Sequence, residues 1–335
     1  MREVDVADLV SRATGGSPRA VARLISLVEN ASPLLREVTA ALTPLAGKAR
    51  VIGLTGSPGV GKSTTTSALV SAYRAKGMRV GVLAVDPSSP FSGGALLGDR
   101  VRMQEHATDP EVFIRSMASR GHLGGLAWAT PQAIRVLDAA GCDVIFVETV
   151  GVGQAEVAVA SLADSTIVLV APGMGDSIQA AKAGILEVAD IFVVNKADRD
   201  GAQQAVRDLR MMVALAERAP DEWKPPIVSA VASKNEGIDE IAEALDKHHA
   251  RLAAGDALHR RRLARARDEI EAIAVTALRE RMGDLHGDRR LDALADEVLS
   301  GARDPYAAAD ELVAAVAAAT NGQDGQDGQD GPPGH

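Results

Sequence analysis

The sequence predicts a doubly wound α/β domain with a mostly parallel sheet, extended by helices at both ends. Short runs rich in Val and Ile recur between Val51 and about Ala232 without strict alternation, as strands buried on both faces do. Helix-like segments separate these runs, and that succession builds a parallel sheet with helices over both faces. The first run also enters a glycine-rich loop that leads straight into a helical stretch.

Taken in order, residues 1–48 read as an N-terminal helical extension. "SPRAVARLISLVENASPLLREVTAALTPLA" has apolar residues at helical spacing behind a candidate N-cap, Ser17. Residues 49–255 hold the runs "RVIGLTG", "RVGVLAVD", "EVFIRSM", "CDVIFVETVG", "STIVLVAPG", "DIFVVNKAD" and "PIVSAVAS". Residues 256–320 are rich in Ala, Leu, Arg and Glu and carry no strand signal. There "LARARDEIEAIAVTALRERMGD" sets Leu263, Ile270, Ile273, Ala274, Ala277 and Leu278 roughly on one helical face. That face suits equally a helix packed on its own domain and an arm that pairs with a second subunit. The tail, residues 321–335, repeats Gly-Gln-Asp and is expected to be disordered.

Composition narrows the function. Lys and Arg total 36 against 45 Asp and Glu, a net charge of −9, which argues against nonspecific nucleic-acid binding as the main task. The basic run "HRRRLARAR" is followed at once by Asp268, Glu269 and Glu271, so it reads as a solvated helix face. A single cysteine, Cys142, excludes an internal disulfide framework and fits a reducing compartment. Apolar residues make up 46% and aromatics 2%, so the core must be built from Ala, Val, Leu and Ile. The charged N-terminus does not resemble a signal peptide, and no stretch is apolar enough to cross a bilayer. A cytoplasmic protein with neither membrane nor nucleic acid as partner is expected.

"GSPGVGKS", Gly56 to Ser63, matches the G-x-x-x-x-G-K-S/T phosphate loop in the strand–loop–helix setting that the pattern requires. Gly56, Gly59 and Gly61 let the backbone of Ser57, Pro58 and Val60 wrap phosphate oxygens, with amides converging at a helix N-terminus that Thr64 continues. Lys62 is expected to reach the β- and γ-phosphates, and the Ser63 hydroxyl to bind Mg²⁺.

"VVNKAD" supplies Asn195, Lys196 and Asp198 at the end of another run. A carboxylate there can accept from guanine N1–H and the exocyclic amine together, a donor pair that adenine lacks, so GTP is preferred over ATP. Asn195 can hold the loop and contact the base, and the Lys196 stem can cover a ring face. After the next run, Ser229-Ala230 could donate a backbone N–H to guanine O6.

"DVIFVETVGVGQAE" places Glu148 where many phosphate-loop NTPases carry a metal-supporting aspartate, and Gly151 could offer its amide to the γ-phosphate. Asp86 closes "RVGVLAVD" and should emerge on the same sheet edge as Lys62 and Glu148, because ligands gather at the carboxyl ends of the strands. Asp99 lies on the following Pro- and Gly-rich loop, which would close over a γ-phosphate and Mg²⁺. No glutamine directly follows the "ETVG" glycine; Val152 does, which implies slow hydrolysis that waits for a partner.

Together "GLTGSPGVGKST", "VDPSSPFSGGALLGDRVRM", "ETVGVGQAE" and "NKAD" resemble the MeaB/ArgK-type GTPases over about residues 20–320. These assist adenosylcobalamin-dependent methylmalonyl-CoA mutase, and the methylmalonic aciduria type A protein belongs with them. The resemblance implies a homodimer through the C-terminal helical arm, mutase as partner, and GTP hydrolysis that gates cofactor delivery and protects the mutase. It puts Lys62, Asp86, Asp99 and Glu148 on nucleotide and magnesium positions, and Ser63 on the magnesium-ligand hydroxyl. It also matches "APGMGDSIQAAKAG" to a mobile segment that couples partner binding to hydrolysis, making Gln179 and Lys182 candidates for catalytic help.

Three rivals stand beside this reading. A metal-insertion GTPase would commonly carry a His- or Cys-rich segment; this chain has seven scattered histidines, and its one adjacent pair, His248-His249, reads as a solvated helix end. A transport-protein kinase would need an acceptor-binding domain that the sequence does not offer. A module that binds without hydrolysing sits poorly with the intact Lys62, Ser63, Asp86 and Glu148 set.

Overall fold

The structure, a computed structural model, describes residues 4–86, 104–106, 108–118, 129–149, 155–173, 188–216, 219, 221–282 and 289–323. They divide into two compact units, residues 1–262 and 263–335.

Each of the seven apolar runs forms a strand: β1 (Arg50–Thr55), β2 (Val80–Asp86), β3 (Val112–Ala118), β4 (Val144–Thr149), β5 (Ser165–Val170), β6 (Ile191–Val194) and β7 (Ile227–Ser229). They pair in the order β3-β2-β4-β1-β5-β6-β7, and every pairing between them is parallel. β1 is central, with β4 on one side and β5 on the other. The connections therefore diverge beside β1, which opens a crevice at the carboxyl end of that strand.

Successive residues serve opposite faces, which is why the runs do not alternate with polar residues. Val51, Leu83 and Ile145 face one core, while Ile52, Val82 and Phe146 face the other. The first face is covered by α1 (Val6–Thr14), α2 (Pro18–Glu29), α3 (Leu35–Leu42), α5 (Thr130–Ala139) and α6 (Ala155–Leu162). The second is covered by α4 (Lys62–Ala75) and α8 (Ile238–Ala253). Beyond β5, α7 (Ala202–Leu215) packs Ala205, Leu209 and Val213 on Val168, Phe192 and Val194. With so few aromatics, a Tyr73–Phe146 edge contact at 5.9 Å is accompanied mainly by aliphatic packing. Each fully buried Leu, such as Leu24 or Leu54, contributes about 1.5–3 kcal/mol.

The N-terminal helices thus share a core with the sheet. Ser17 occupies the N-cap position of α2, but its side chain makes no capping bond; its carbonyl accepts from Ala20 and Val21 N–H, and Pro18 opens the helix. Asp5 does cap α1, accepting from Asp8 N–H at 3.0 Å.

Two expectations are corrected here. His248 is a core residue, 1% exposed, because it lies on the buried stripe of α8 with Ile241, Leu245 and Leu252. Its Nδ1 lies 2.8 Å from Ser165 Oγ, and its ring packs against Trp223 at a 47° tilt, 4.9 Å between centroids. Nor is the basic run a free solvated face. Arg261 reaches both Asp190 oxygens (2.9 and 2.7 Å), and Arg262 reaches both oxygens of Asp164. These acids immediately precede β6 and β5, so the arginines clasp the amino-terminal edge of the sheet, opposite the crevice.

Burial holds the His248 pKa below its ordinary value; nearby Asp190 pulls it up, while Arg261, His249 and Arg251 push it further down. The unfolded chain therefore binds a proton before the folded one does. Stability is expected to be unaffected by this group above about pH 6.5 and to decline as pH falls from there toward the depressed value. His248→Gln should flatten that decline in thermal unfolding measured from pH 7 to pH 5, with a residual slope from His249, which burial also depresses. An unchanged slope would assign the acid sensitivity elsewhere.

The second unit holds most of α9 (Ala257–Met282), with α10 (Arg289–Leu299) and α11 (Pro305–Gln323). α10 and α11 pack together, burying Leu294 and Ala308, and Arg303 bridges Glu297 and Glu311. On α9, Leu263, Ile270, Ile273 and Leu278 are exposed. Among the described residues no helix is long and apolar enough to cross a membrane.

Candidate functional site

The phosphate loop turns out of β1 between β4 and β5 and delivers the chain to α4. Two of its glycines are required by geometry. Gly56 has φ +139°, and an added Cβ would fall 2.3 Å from Leu169 O of β5. Gly61 has φ +97°, and its Cβ would fall 2.4 Å from Asn195 Nδ2. Both close approaches let the loop lie against two neighbouring segments.

Lys62 and Ser63 begin α4 and are buried, whereas Thr64 is exposed. Lys62 Nζ folds back over the loop and donates to Gly56 O (2.7 Å) and Ser57 O (3.2 Å). A phosphate oxygen arriving in the loop could exchange places with these carbonyls as the acceptor of the ammonium.

Glu148 is the fifth residue of β4, in register with Leu54 and Ala84, and is 3% exposed. Its carboxylate is met from α4 by two hydroxyls: Ser63 Oγ donates to Oε1 at 2.6 Å, and Thr66 Oγ1 donates to Oε2 at 2.9 Å. Asp86, the last residue of β2, lies two residues along from the register partner of Glu148 on the adjacent strand. Asp99, Gly151, Gln179 and Lys182 lie outside the described residues.

The segment that follows β6 is joined physically to the phosphate loop. Asn195 donates from Nδ2 to Val60 O (2.8 Å) and accepts at Oδ1 from Ala232 N–H (3.1 Å). Lys196, with φ +57°, stretches Nζ to Gly59 O at 2.6 Å. Asp198 is paired with Lys234 at 3.0 Å, and this ammonium holds its carboxyl below the usual carboxylate range. An ionised Asp198 is the form that accepts from a paired donor edge.

For Ala230 the backbone corrects the expectation. The Ala230 N–H donates to Val194 O at 2.9 Å, closing the β6–β7 ladder, so it cannot also serve guanine O6. Ser229 is exposed at the end of β7. The chain then makes a tight turn in which Val231 and Glu236 pair and Ala232–Lys234 form a single helical turn.

Sequence reasoning missed Thr66 and Lys234. Thr66 is the fourth residue after Lys62, where the loop pattern is silent; only helical spacing from Ser63 could have placed both hydroxyls on one face. Lys234 is brought to Asp198 by the turn after β7, with no local signal for that pairing.

The oxygens present fit a hard divalent cation with phosphate ligands. Ser63 and Glu148 supply a hydroxyl and a buried carboxylate at the foot of the phosphate loop. No group of three or more His, Cys, Asp or Glu able to hold a metal by itself occurs among the described residues. That is the donor set expected for Mg²⁺, which keeps waters and takes phosphate oxygens instead of filling a protein cage.

Comparison with known proteins agrees with this geometry. The family described as methylmalonyl Co-A mutase-associated GTPase MeaB matches residues 21–285. A Pyrococcus abyssi protein that carries a GTPase name is 46% identical over 308 residues, covering 91% of this chain and 95% of the relative. The Mus musculus protein named methylmalonic aciduria type A homolog, mitochondrial, is 36% identical over 268 residues, covering 79% of this chain and 65% of its own. A crystal structure of a LAO/AO transport system kinase superimposes with a TM-score of 0.72 at 28% identity, covering 93% of this chain and 97% of that one.

Proposed function

Because the chain belongs to the MeaB family of methylmalonyl Co-A mutase-associated GTPases, we propose that its GTP hydrolysis serves adenosylcobalamin-dependent methylmalonyl-CoA mutase, gating cofactor delivery and protecting the mutase from inactivation. The observation that carries the chemistry is the convergence of Lys62, Ser63 and Glu148 at one loop that Asn195 ties to the base-recognition segment.

In this reading Lys62 leaves the Gly56 and Ser57 carbonyls for the β- and γ-phosphates, and the loop amides line the remaining oxygens. Ser63 and Glu148 would hold Mg²⁺, with Asp86 and Asp99 as further candidates. The cation would offset the charge that develops between the β- and γ-phosphates. Asp198 exchanges Lys234 for the guanine N1–H and amine. With the Ala230 and Ala232 amides committed, Ser233 in the same turn is the proposed donor to O6. Gln179 and Lys182 are assigned to the stimulated reaction, where an added cation lowers the barrier by meeting transition-state charge.

The wider organisation follows the same reading. Residues 49–255 form the GTPase core, and residues 256–320 an arm whose exposed Leu263, Ile270, Ile273 and Leu278 face a second copy in a cytoplasmic homodimer.

GTP turnover measured with and without purified methylmalonyl-CoA mutase tests the proposal. The protein alone is expected to hydrolyse slowly and to accelerate with the mutase. Lys182→Ala should bind nucleotide normally yet lose most of the acceleration, and equal stimulation of variant and parent would remove Lys182 from the mechanism. Absence of stimulation in the parent would remove the mutase. Label from γ-labelled GTP retained on a second protein would favour a kinase.

A further inference from the structure

The geometry points to Thr66 as a positioning residue that holds the Glu148 carboxylate in place for the metal-bound nucleotide. This rests on the Mg²⁺–GTP reading of the site. Thr66 lies three residues beyond Ser63 on α4, and both side chains meet the same buried carboxylate from one helix face. Each carboxylate oxygen receives a different hydroxyl, Oε1 from Ser63 and Oε2 from Thr66. Two donors on two oxygens fix the plane of the carboxylate as well as its position.

The behaviour of the neighbouring threonine shows that this is not simply what helical threonines do. Thr65 Oγ1 donates back to Gly61 O at 3.0 Å, the ordinary bond to the carbonyl four residues earlier. Thr66 has the same option, with Lys62 O at 3.1 Å, but Glu148 Oε2 is nearer at 2.9 Å. A hydroxyl has one proton, and an ionised acceptor forms the stronger bond. Thr66 Oγ1 therefore donates its hydrogen bond to Glu148 Oε2.

The two hydroxyls are not equivalent in function. Ser63 stands at the mouth of the phosphate loop and must turn a lone pair toward a cation, which restricts where its proton can point. Thr66 is one turn deeper, fully buried, and has no such second task. It keeps Glu148 oriented while Ser63 engages the metal. A valine there would preserve shape and remove the donor, leaving one buried carboxylate oxygen without that bond.

The test follows release of a fluorescent GDP as Mg²⁺ is titrated, for the parent, Thr66→Val, Thr66→Ser, Glu148→Gln and the Thr66→Val/Glu148→Gln double variant. Mg²⁺ is expected to slow release from the parent. Thr66→Val should raise the Mg²⁺ concentration needed for half of that slowing by about tenfold, as loss of a hydrogen bond to a charged group implies. Its release rate in EDTA should match the parent, which a merely loosened loop would not allow. Thr66→Ser should behave like the parent, and Thr66→Val should add nothing once Glu148 is glutamine.

An unchanged Mg²⁺ requirement in Thr66→Val, failure of Thr66→Ser to restore it, or a full Thr66→Val effect in the Glu148→Gln background would each overturn the assignment. Should Thr66→Val not fold, Thr66→Ala is read the same way; loss of folding in both with Thr66→Ser intact would make the hydroxyl a core requirement instead. Release from the parent that ignores Mg²⁺ would overturn the metal-bound reading itself, and that outcome needs no variant to detect.

Discussion

Lys62→Ala is expected to weaken GTP and GDP binding by about 10²–10³-fold while leaving the fold intact. Nζ sits over the loop on Gly56 O and Ser57 O, at the point where nucleotide phosphates would lie, and the side chain is 7% exposed. Removing it takes away the one lysine of the loop from a multiply charged ligand held in a partly desolvated cradle. Breaking such a pair is severe because the remaining charge stays buried without compensation. The fold should persist, since β1 and α4 are anchored by Leu54, Leu69 and Tyr73 in the sheet core. Titration of a fluorescent GDP beside a circular-dichroism melt separates the two effects. A dissociation constant within about threefold of the parent would mean that Lys62 does not meet the phosphates.

Glu148→Gln is expected to divide binding from chemistry. Glutamine nearly matches the shape of glutamate, so nucleotide affinity in EDTA should stay close to the parent value. Single-turnover GTP hydrolysis at saturating Mg²⁺ should fall by about 10²-fold or more, the scale of losing one preorganised charge at a reacting phosphoryl group. The NH2 half of a glutamine amide cannot accept, so one of the two hydroxyls loses its bond to residue 148. Equal losses of binding in EDTA and of turnover would instead identify Glu148 as part of the loop scaffold.

The two substitutions act on residues that were visible in the sequence to different degrees. Lys62 stands inside a spaced pattern whose flanks, a strand and a helix, are local and periodic. Glu148 stands at a strand end where a metal-supporting carboxylate is expected, but no local pattern shows that it is buried against α4 and met there by two hydroxyls. Ala230 shows the opposite case. Its position after a strand suggested an available amide, but only the pairing of β7 with β6 reveals that this amide belongs to the ladder.

Residues assigned a bland role from their neighbours changed most. His248 sits beside His249, Lys247 and Asp246, and that company reads as polar surface. It is buried because it falls on the Ile241–Leu245–Leu252 stripe and meets Ser165 of β5. Arg261 and Arg262 occur in a basic run followed by acids, which reads as a solvated helix face. Their partners are Asp190 and Asp164, at the starts of β6 and β5.

By itself the sequence determined the strand–helix succession and the phosphate loop between β1 and α4. These are set by periodicities and spacings that act within a few residues. The tertiary structure decided which groups meet: Thr66 and Ser63 at Glu148, Asn195 at Val60, Lys234 at Asp198, and the arginines of α9 at the far sheet edge. The physical reason is that a hydrogen bond needs its two atoms within about 3 Å. For segments distant along the chain, that proximity is set by the order of strands in the sheet, which no local pattern encodes.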